Sequence, residues 1–239
     1  MLGRFLEISV TTPAILESLT FYESLGFQQI AVGEVWTHPY AVVTDGRLVL
    51  GLHERRAPPI GLTYVQPNLL HHLSGLRELG LMFSEEHIAA DTFHHAAFSD
   101  PHGLHVNILE ARTFSPSTVR SDAISMCGYF SELAIPARAF DPAREFWEPL
   151  GFVAMDVSED PLSRMTLTSD HLNLGFLKTR TLRKPVLVFE DAGMAARLAT
   201  LRERGFALSD DMPDALDAEM NAVLEAPEGT RLLLMQAEE

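Results

Sequence analysis

The sequence predicts an α+β fold, built from four βαβββ units that pair into two tandem domains. Three observations support this: the second half of the chain repeats the first, each half contains a shorter repeat, and each repeat runs from strand to helix to strands. FLEIS at 5–9 recurs as FSELA at 130–134, and FYESLGF at 21–27 recurs as FWEPLGF at 146–152. Both pairs have the same offset of 125 residues, so the chain is duplicated.

The first two elements of each unit are a strand and a helix. Alternating apolar residues predict strands from Phe5 to Thr11 and from Phe130 to Pro136. The helix that follows is indicated by apolar residues at helical spacing, namely Ile15, Leu19, Tyr22 and Leu25. Pro13 and Pro142 are expected in the first turns of their helices, where a missing N–H is tolerated.

Glycines mark the shorter repeat. Helical stretches close at Gly26 and Gly80, and again at Gly151 and Gly205, 54 residues apart in both halves. A left-handed cap favours glycine at such positions. Three strands should follow the helix, and turn signals place them at 27–33, 39–44 and 47–53 in the first unit and at 152–157, 164–168 and 171–177 in the third. Another alternating run, Thr230 to Gln236, ends the last unit.

The repeats define the predicted domains. The first covers residues 1–112, with units 1–56 and 57–112, and the second covers 128–239, with units 128–180 and 181–239. A linker rich in serine and threonine, 113–127, is predicted between them.

Composition narrows the function. The chain has 239 residues, with 18 Lys and Arg against 33 Asp and Glu, giving a net charge of −15. Such a surface repels phosphate backbones and anionic lipids, so no nucleic-acid or membrane partner is expected. The sequence also shows no apolar run near the roughly 20 residues of a spanning helix and no signal-peptide core. Its single cysteine, Cys127, excludes an internal disulfide, which fits the cytoplasm.

The paired units, the helix ending F-Y-x-x-L-G-F and the turn Asp100-Pro101-His102-Gly103 before a last strand together resemble the vicinal oxygen chelate superfamily. This group contains glyoxalases, bleomycin-resistance proteins and ring-cleavage dioxygenases. The resemblance implies two glyoxalase-like domains, each with a curved mixed sheet that lines a cavity. It does not imply one activity, because the scaffold hosts lyases, epimerases, dioxygenases and drug-binding proteins.

The resemblance also locates the positions that hold a divalent ion in metal-dependent members, usually with His, Gln or Glu. In this chain those positions carry Glu7 and Glu132, Gly51 and Gly175, residues near Gly61 and within 184–186, and Asn107 and Leu233. One carboxylate and one amide are fewer donor groups than a divalent ion needs for tight binding. No metal and no other cofactor is therefore predicted.

Strand alternation selects the candidate ligand-binding residues of the first domain. His53 shares a face with Gly51, and His105 shares one with Asn107, so together with Glu7 they could line one cavity. A hydrogen bond between Glu7 and His105 is expected, either as a structural pair or as a device that makes the imidazole a general base. Of the adjacent pairs His71-His72 and His94-His95, at most one histidine each should face inward.

In the second domain Arg231 matches His105 by the repeat, and an ion pair between Glu132 and Arg231 is expected. The pair could replace a lost metal, or Arg231 could receive an anionic ligand while Glu132 acts as a base. The acidic run Asp210 to Asp217 is expected to be a solvated loop or a lid over this cavity. Trp36, near Tyr40, is a candidate aromatic residue at the mouth of the first cavity.

Two functions follow. The first is metal-free binding of a small organic molecule, resembling the bleomycin-resistance branch. The alternative is a metal-dependent lyase or isomerase of the glyoxalase kind, or a ring-cleaving dioxygenase, with a non-standard ligand set drawn from Glu7, His53, His105 and Asn107. Units of this superfamily pair within a chain or across a dimer, so a monomer and a homodimer are both open.

Overall fold

The computed structural model describes residues 2–31, 36–89, 94–111 and 125–237. In the first half the elements are β1 (Arg4–Thr11), α1 (Ile15–Ser24), β2 (Gln28–Ile30), β3 (Tyr40–Thr44), β4 (Val49–His53), β5 (Ile60–Val65), α2 (Leu69–Glu78), β6 (Glu85–His87), β7 (His95–Ser99) and β8 (His105–Leu109). They form one eight-stranded mixed sheet in the order β2-β3-β4-β1-β5-β8-β7-β6.

The second half repeats this arrangement. Its elements are β9 (Tyr129–Pro136), α3 (Asp141–Trp147) with a 3₁₀ turn (Glu148–Leu150), β10 (Val153–Ala154), β11 (Arg164–Thr168), β12 (Asn173–Leu177), β13 (Val186–Asp191), α4 (Met194–Glu203), β14 (Leu208–Ser209), β15 (Ala222–Glu225) and β16 (Arg231–Gln236). The strand order, β10-β11-β12-β9-β13-β16-β15-β14, is that of the first sheet shifted by eight strands. The predicted α+β fold with two tandem domains is confirmed.

Most of the predicted strands begin and end within two residues of the observed bounds. The prediction for 164–168 matches β11, whereas 152–157 shortens to the two residues of β10. The stretch 27–33 shortens to β2, and its residues 32–33 lie outside the described part of the chain. Short edge strands pair on one side only, which explains why an apolar pattern overestimates their length.

The starts of the two equivalent helices differ from each other. Pro142 lies in the first turn of α3 as expected, but Pro13 precedes α1, whose N-cap is Ala14. The expectation for Pro13 was wrong because the Thr12 hydroxyl accepts the N–H of Ala14 at 3.1 Å and so forms a turn around the proline. The carboxylate of Glu54 then accepts the N–H of Ile15 at 3.1 Å. Both helices therefore begin where a side chain or a proline replaces a missing backbone partner.

One hydrophobic core connects the two halves. It includes side chains of all four helices and the helix-facing residues of both sheets. Across the halves, the rings of Phe27 and Phe189 lie 6.3 Å apart, and those of Phe98 and Phe146 lie 6.0 Å apart. The helix-covered faces of the two sheets thus share one core, and each sheet has an opposite face, which we call its inner face.

The strands of the first sheet end at Leu109, and those of the second begin at Tyr129. Residues 113–124 of the predicted linker lie outside the described residues. The end of the linker packs on the first half, where the N–H of Met126 donates to the carbonyl of Leu25 at 2.8 Å and Cys127 is buried. No helix in the described ranges is long and apolar enough to cross a membrane.

Candidate functional site

The inner face of the first sheet carries most of the predicted site. Along each strand the residues that point toward the helices are apolar, as Ile8 and Val10 are in β1, and the alternate residues point the other way. A register shift between Phe5 and Glu7 keeps Phe5 packed against the core while Glu7 faces inward. The inner face thereby gathers Glu7, Ser9, Tyr40, His53, Thr63, Ala97, His105 and Asn107.

Glu7 is the centre of a buried hydrogen-bond network. Its side chain is 0% exposed, and its Oε1 accepts the hydroxyl of Ser9 at 2.9 Å and lies 2.7 Å from Nε2 of His53. The hydroxyl of Tyr40 donates to Oε2. Burial, with help from Glu7, raises the pKa of Tyr40 well above its usual value, so this hydroxyl remains a donor. A buried carboxylate with three partners avoids the cost of an unpaired charge.

A second histidine extends the network. Nε2 of His38 lies 2.9 Å from Nδ1 of His53, which produces the chain Glu7–His53–His38. Burial, with smaller contributions from His53 and Arg55, lowers the pKa of His38 to about 4. His38 is therefore neutral at pH 7 and can donate a proton to His53 or accept one from it. The chain can move a proton between the buried carboxylate and the His38 ring.

Aromatic rings surround these imidazoles. The ring of Trp36 lies 5.1 Å from that of His53 and 5.3 Å from that of His38, and the Tyr40 ring is 4.7 Å from His53. The guanidinium of Arg55 lies 5.2 Å from the centre of the Trp36 ring. The expectation of aromatic residues near this site agrees with these contacts, and their flat surfaces suit a planar ligand.

The expected hydrogen bond between Glu7 and His105 was wrong. In the sheet β1 lies between β4 and β5, and β8 lies beyond β5, so His105 is two strands away from Glu7 while His53 is on the adjacent strand. Nε2 of His105 instead lies 3.2 Å from Oδ1 of Asn107. Between the two groups, the hydroxyls of Ser9 and Thr63 are hydrogen-bonded at 2.6 Å.

The expected ion pair between Glu132 and Arg231 was also wrong. The sheet places β13 between β9 and β16, and Arg231 binds the carboxylate of Asp211 at 2.7 Å. Glu132 instead accepts the hydroxyl of Thr166 at 2.8 Å and lies 3.6 Å from the guanidinium of Arg164. Burial raises the pKa of Glu132, and Arg164 and Thr166 offset part of that rise.

Arg231 lies outside the network of Glu132 and lines a cleft on the second domain. The cleft has a volume of about 550 Å³, and its lining includes Arg180, Arg183, Lys184, Arg231, Asp211 and Glu225. Its cations are exposed except for Arg231, which two acidic groups neutralise.

Apart from Glu132, Thr166 and Arg164, much of the inner face of the second sheet is covered by apolar side chains. These form a separate buried cluster of Ala134, Leu162, Leu177, Leu182, Val186, Val188, Met212, Leu216, Val223, Leu233 and Met235. Met212 and Leu216 come from the predicted acidic loop, which covers this face with its apolar residues rather than lying wholly in solvent. The position equivalent to His53 is Leu177, so the polar chain of the first sheet has no counterpart here.

At the positions where the resemblance places metal ligands, the described residues offer Glu7 and Asn107 in the first domain and Glu132 in the second. A side chain at Gly51 would overlap the carboxylate of Glu7, and one at Gly175 would overlap that of Glu132. Each glutamate thus lies across the strand that would supply a second ligand. The oxygens of Glu7 face Ser9, Tyr40 and His53, and those of Glu132 face Thr166 and Arg164. In the second domain the side chains of Val186 and Leu233 offer no donor atoms.

The adjacent histidines point apart as expected. Nδ1 of His94 lies 3.0 Å from the carboxylate of Glu110, while His95 lies on β7 with the inward-facing alternation of that strand. His71 and His72 are exposed on α2. Sequence reasoning missed His38, Ser9 and Thr63 as members of the site. Alternation along β1 and β5 could have identified the last two, but His38 lies in a turn without periodicity.

Comparison with known proteins identifies the fold. The sequence matches no protein-family profile and no curated protein. Its structure is similar to that of a catechol 2,3-dioxygenase, with a TM-score of 0.62, 15% identity, and coverage of 99% of this chain and 88% of that one. For a 2,2',3-trihydroxybiphenyl 1,2-dioxygenase from Sphingomonas wittichii the values are 0.61, 15%, 98% and 90%. For a Mn(II)-bound glyoxalase from Novosphingobium aromaticivorans they are 0.56, 14%, 99% and 83%.

These neighbours and the paired sheets define a protein with two tandem glyoxalase-like domains. The chain has the fold of the vicinal oxygen chelate superfamily, which confirms the resemblance inferred from its repeats. Identities of 14–15% establish the fold and leave the chemistry to the residues of the site.

Proposed function

We propose that the protein binds a small organic molecule on the inner face of the first sheet, without a metal ion at the superfamily's ligand positions. One contrast between the two sheets carries this proposal. The first inner face holds the chain Glu7–His53–His38 beside aromatic rings, whereas the same face of the second sheet pairs Glu132 with Thr166 and Arg164 and carries a buried apolar cluster. Ligand sites typically combine apolar and aromatic walls with a few convergent polar groups.

Burial of the polar groups on the first inner face costs free energy of folding. Glu7 and His53 are 0% and 1% exposed, and the equivalent pair of positions in the second domain needs only one polar residue, Glu132. Burying polar groups is disfavoured even when they are hydrogen-bonded, because apolar residues of similar volume fill such space at least as well. Retention of a connected polar chain beside Trp36 supports a role in recognition.

The chemistry of the site favours a flat molecule that carries a hydroxyl or carbonyl group. Tyr40 and His53 present ring faces, Arg55 offers a cation, and the neutral His38 exchanges hydrogen bonds in either direction. Two structural neighbours are dioxygenases named for catechol and for 2,2',3-trihydroxybiphenyl, which are aromatic molecules with adjacent hydroxyls. Catechol is therefore the first probe we would use.

The enzymatic alternative is disfavoured by the same residues. A glyoxalase-type lyase or isomerase, or a ring-cleaving dioxygenase, would need several convergent ligands. The superfamily's ligand positions supply one carboxylate and one amide in the first domain and one carboxylate in the second. Removal of a proton by the chain Glu7–His53–His38 is the one catalytic step that the first inner face supports without a metal.

The equivalent glutamates of the two sheets provide the test. Catechol and a panel of related aromatic compounds would be screened by thermal shift, and the binders measured by isothermal titration calorimetry. We expect Glu7→Gln to weaken binding at least tenfold and Glu132→Gln to leave it unchanged. Equal affinity in Glu7→Gln, or loss of affinity in Glu132→Gln alone, would show that the first inner face is not the site.

The remaining properties are proposals of the same kind. The net charge of −15 argues against nucleic acid as a partner, and the core shared by both halves supports a monomer, with a homodimer still open. Burial raises the pKa of Cys127 to about 12, so its thiol is inert, as suits a structural cysteine in the cytoplasm.

A further inference from the structure

We infer that Glu85, His87 and His95 form a binding site for a divalent transition-metal ion of the Zn²⁺ or Co²⁺ type, at the outer edge of the first inner face. None of the three residues occupies a position at which the superfamily resemblance places a ligand. The inference is independent of the proposed organic ligand, since it concerns the metal-binding capacity of the chain alone.

The geometry of an antiparallel pair brings the three side chains together. His87 on β6 lies directly opposite His95 on β7, and Glu85 lies two residues before His87, opposite Ala97. Residues two apart on a strand share a face, and directly opposed residues have Cβ atoms about 5 Å apart. All three side chains therefore project from one face of the β6–β7 ribbon, and Ala97 pairs on its other side with Asn107 of the inner face.

The donor atoms are close enough for one ion. One nitrogen of each imidazole and a carboxylate oxygen all lie within 4.8 Å of one another, and Nε2 of His95 is 3.7 Å from Oε2 of Glu85. Zinc binds such atoms at about 2.0–2.2 Å, so donors of one site lie about 3–4 Å apart. Small side-chain rotations close the difference, and they are available because the side chains of Glu85 and His95 are 58% and 30% exposed.

The ring arrangement needs little change. The imidazoles of His87 and His95 are stacked with centroids 4.4 Å apart and an angle of 22° between their planes. The two rings therefore lie side by side, and one nitrogen of each lies within 4.8 Å of a carboxylate oxygen of Glu85. An ion placed there would receive two nitrogens from adjacent strands and one oxygen from the same strand as His87.

The donor chemistry selects the kind of ion. Two neutral imidazoles and one carboxylate suit Zn²⁺, Co²⁺ or Ni²⁺, whereas Mg²⁺ and Ca²⁺ require mainly oxygen ligands. Glu85 supplies one negative charge toward the dication, and a chain with a net charge of −15 attracts cations in general. Three protein ligands leave at least one coordination position for water or for an oxygen of a bound molecule, as open metal sites do.

The other histidine pair of the first domain provides a matched control. His71 and His72 are adjacent and exposed on α2. Consecutive residues of a helix project about 100° apart, so these two cannot chelate one ion together. A double alanine variant at 71 and 72 removes as many imidazoles as one at 87 and 95 but does not touch the proposed site.

The experiment is a titration of the full chain, freed of metal by a chelator, with Co²⁺ followed by visible absorption and with Zn²⁺ by competition against a chromophoric chelator. We expect one ion per chain, at least a tenfold weaker affinity for His87→Ala/His95→Ala and for Glu85→Gln, and wild-type affinity for His71→Ala/His72→Ala. Circular dichroism would check that each variant folds. Absence of stoichiometric binding, retained affinity without His87 and His95, or an equal loss in the control would each overturn the site.

The metal and organic sites can fail separately. Glu7→Gln should bind Co²⁺ with wild-type affinity while it loses catechol-type ligands, because Glu7 lies on β1 and contributes nothing to the β6–β7 ribbon. If Glu7→Gln instead loses the ion, the metal lies in the Glu7 network and the assignment to Glu85, His87 and His95 is wrong.

Discussion

The hydroxyl of Tyr22, in the first domain, donates to the carboxylate of Glu228, in the second, at 2.8 Å. A matching contact runs the other way, because the indole N–H of Trp147 donates to the carboxylate of Asp100 at 3.1 Å. Trp147 follows Tyr22 by the repeat offset of 125 residues, and both acceptors belong to the turns that precede the last strand of each domain. The duplication has thus produced two equivalent hydrogen bonds that hold each helix to the turn of the other domain.

These contacts predict a measurable contribution to stability. Tyr22→Phe keeps the buried ring and removes the hydroxyl, which leaves Glu228 with the hydroxyl of Ser18 at 2.7 Å. We expect the free energy of unfolding to fall by about 1–3 kcal/mol, as for other buried hydrogen bonds to a charged group. Urea denaturation measures it. Tyr129→Phe is the control, because Tyr129 is exposed, and it should change stability by less than about 0.5 kcal/mol.

The sequence predicts the fold and the face of each residue better than it predicts contacts. Alternation identified Glu7, His53, His105 and Asn107 as residues of one face, and the sheet confirms this. Which of them touch depends on strand order, and order is a long-range property that alternation does not contain. For that reason His105 was paired with Glu7, although β5 separates their strands.

In the second domain, too, the sequence does not predict which residues pack together on the inner face. The repeat places Glu132 where Glu7 lies, and it gives no sign that Met212 and Leu216 cover this face. These residues lie in an acidic run whose charges point to solvent, so composition alone indicates a solvated loop. Burial of isolated apolar residues within a polar loop is decided by tertiary packing, which no local pattern reports.

A pH dependence of stability follows from Glu132. Burial raises the pKa of this carboxyl, so the folded state holds the proton more tightly than the unfolded state does. Ionisation of Glu132 therefore has no effect on the free energy of unfolding below the unfolded pKa of about 4.3, and it destabilises the folded state as pH rises through the folded pKa. Glu132→Gln removes this term, so its stability relative to the wild type should increase from pH 4 to pH 7. Urea denaturation at several pH values tests this, and a difference that is flat or falls with pH would contradict it.

His38 predicts the opposite dependence. With a pKa of about 4, the folded state resists protonation that the unfolded state accepts near pH 6.5. Above pH 6.5 the ring is neutral in both the folded and the unfolded state, so His38 does not change the free energy of unfolding. As the pH decreases from 6.5 toward 4, the unfolded state takes up the proton first and the free energy of unfolding falls. Titration of the histidine ring protons by NMR should show His38 neutral at pH 5.5. Protonation of His38 near pH 6.5 would refute the buried chain.

Gly51 predicts a coupling that reports directly on the position of Glu7. An alanine Cβ at 51 would overlap the Glu7 carboxylate, which cannot move freely because Tyr40 and His53 hold it. We expect Gly51→Ala to cost about 1–3 kcal/mol, as overpacking does elsewhere. In the Glu7→Ala background the same change should cost at least about 1 kcal/mol less, which a double-mutant cycle measures.

Gly75 provides a control for the Gly51→Ala substitution, because a Cβ added at Gly75 would contact nothing within 4 Å. Gly75 lies in α2 with open space around its Cα, so Gly75→Ala should stabilise the protein by about 0.5–1 kcal/mol through helix propensity alone.

Additive effects of Gly51→Ala and Glu7→Ala on the free energy of unfolding would mean that the Glu7 carboxylate does not lie across β4. In that case a side chain at position 51 would be free to enter the inner face, and the reason for excluding a metal ligand there would be lost.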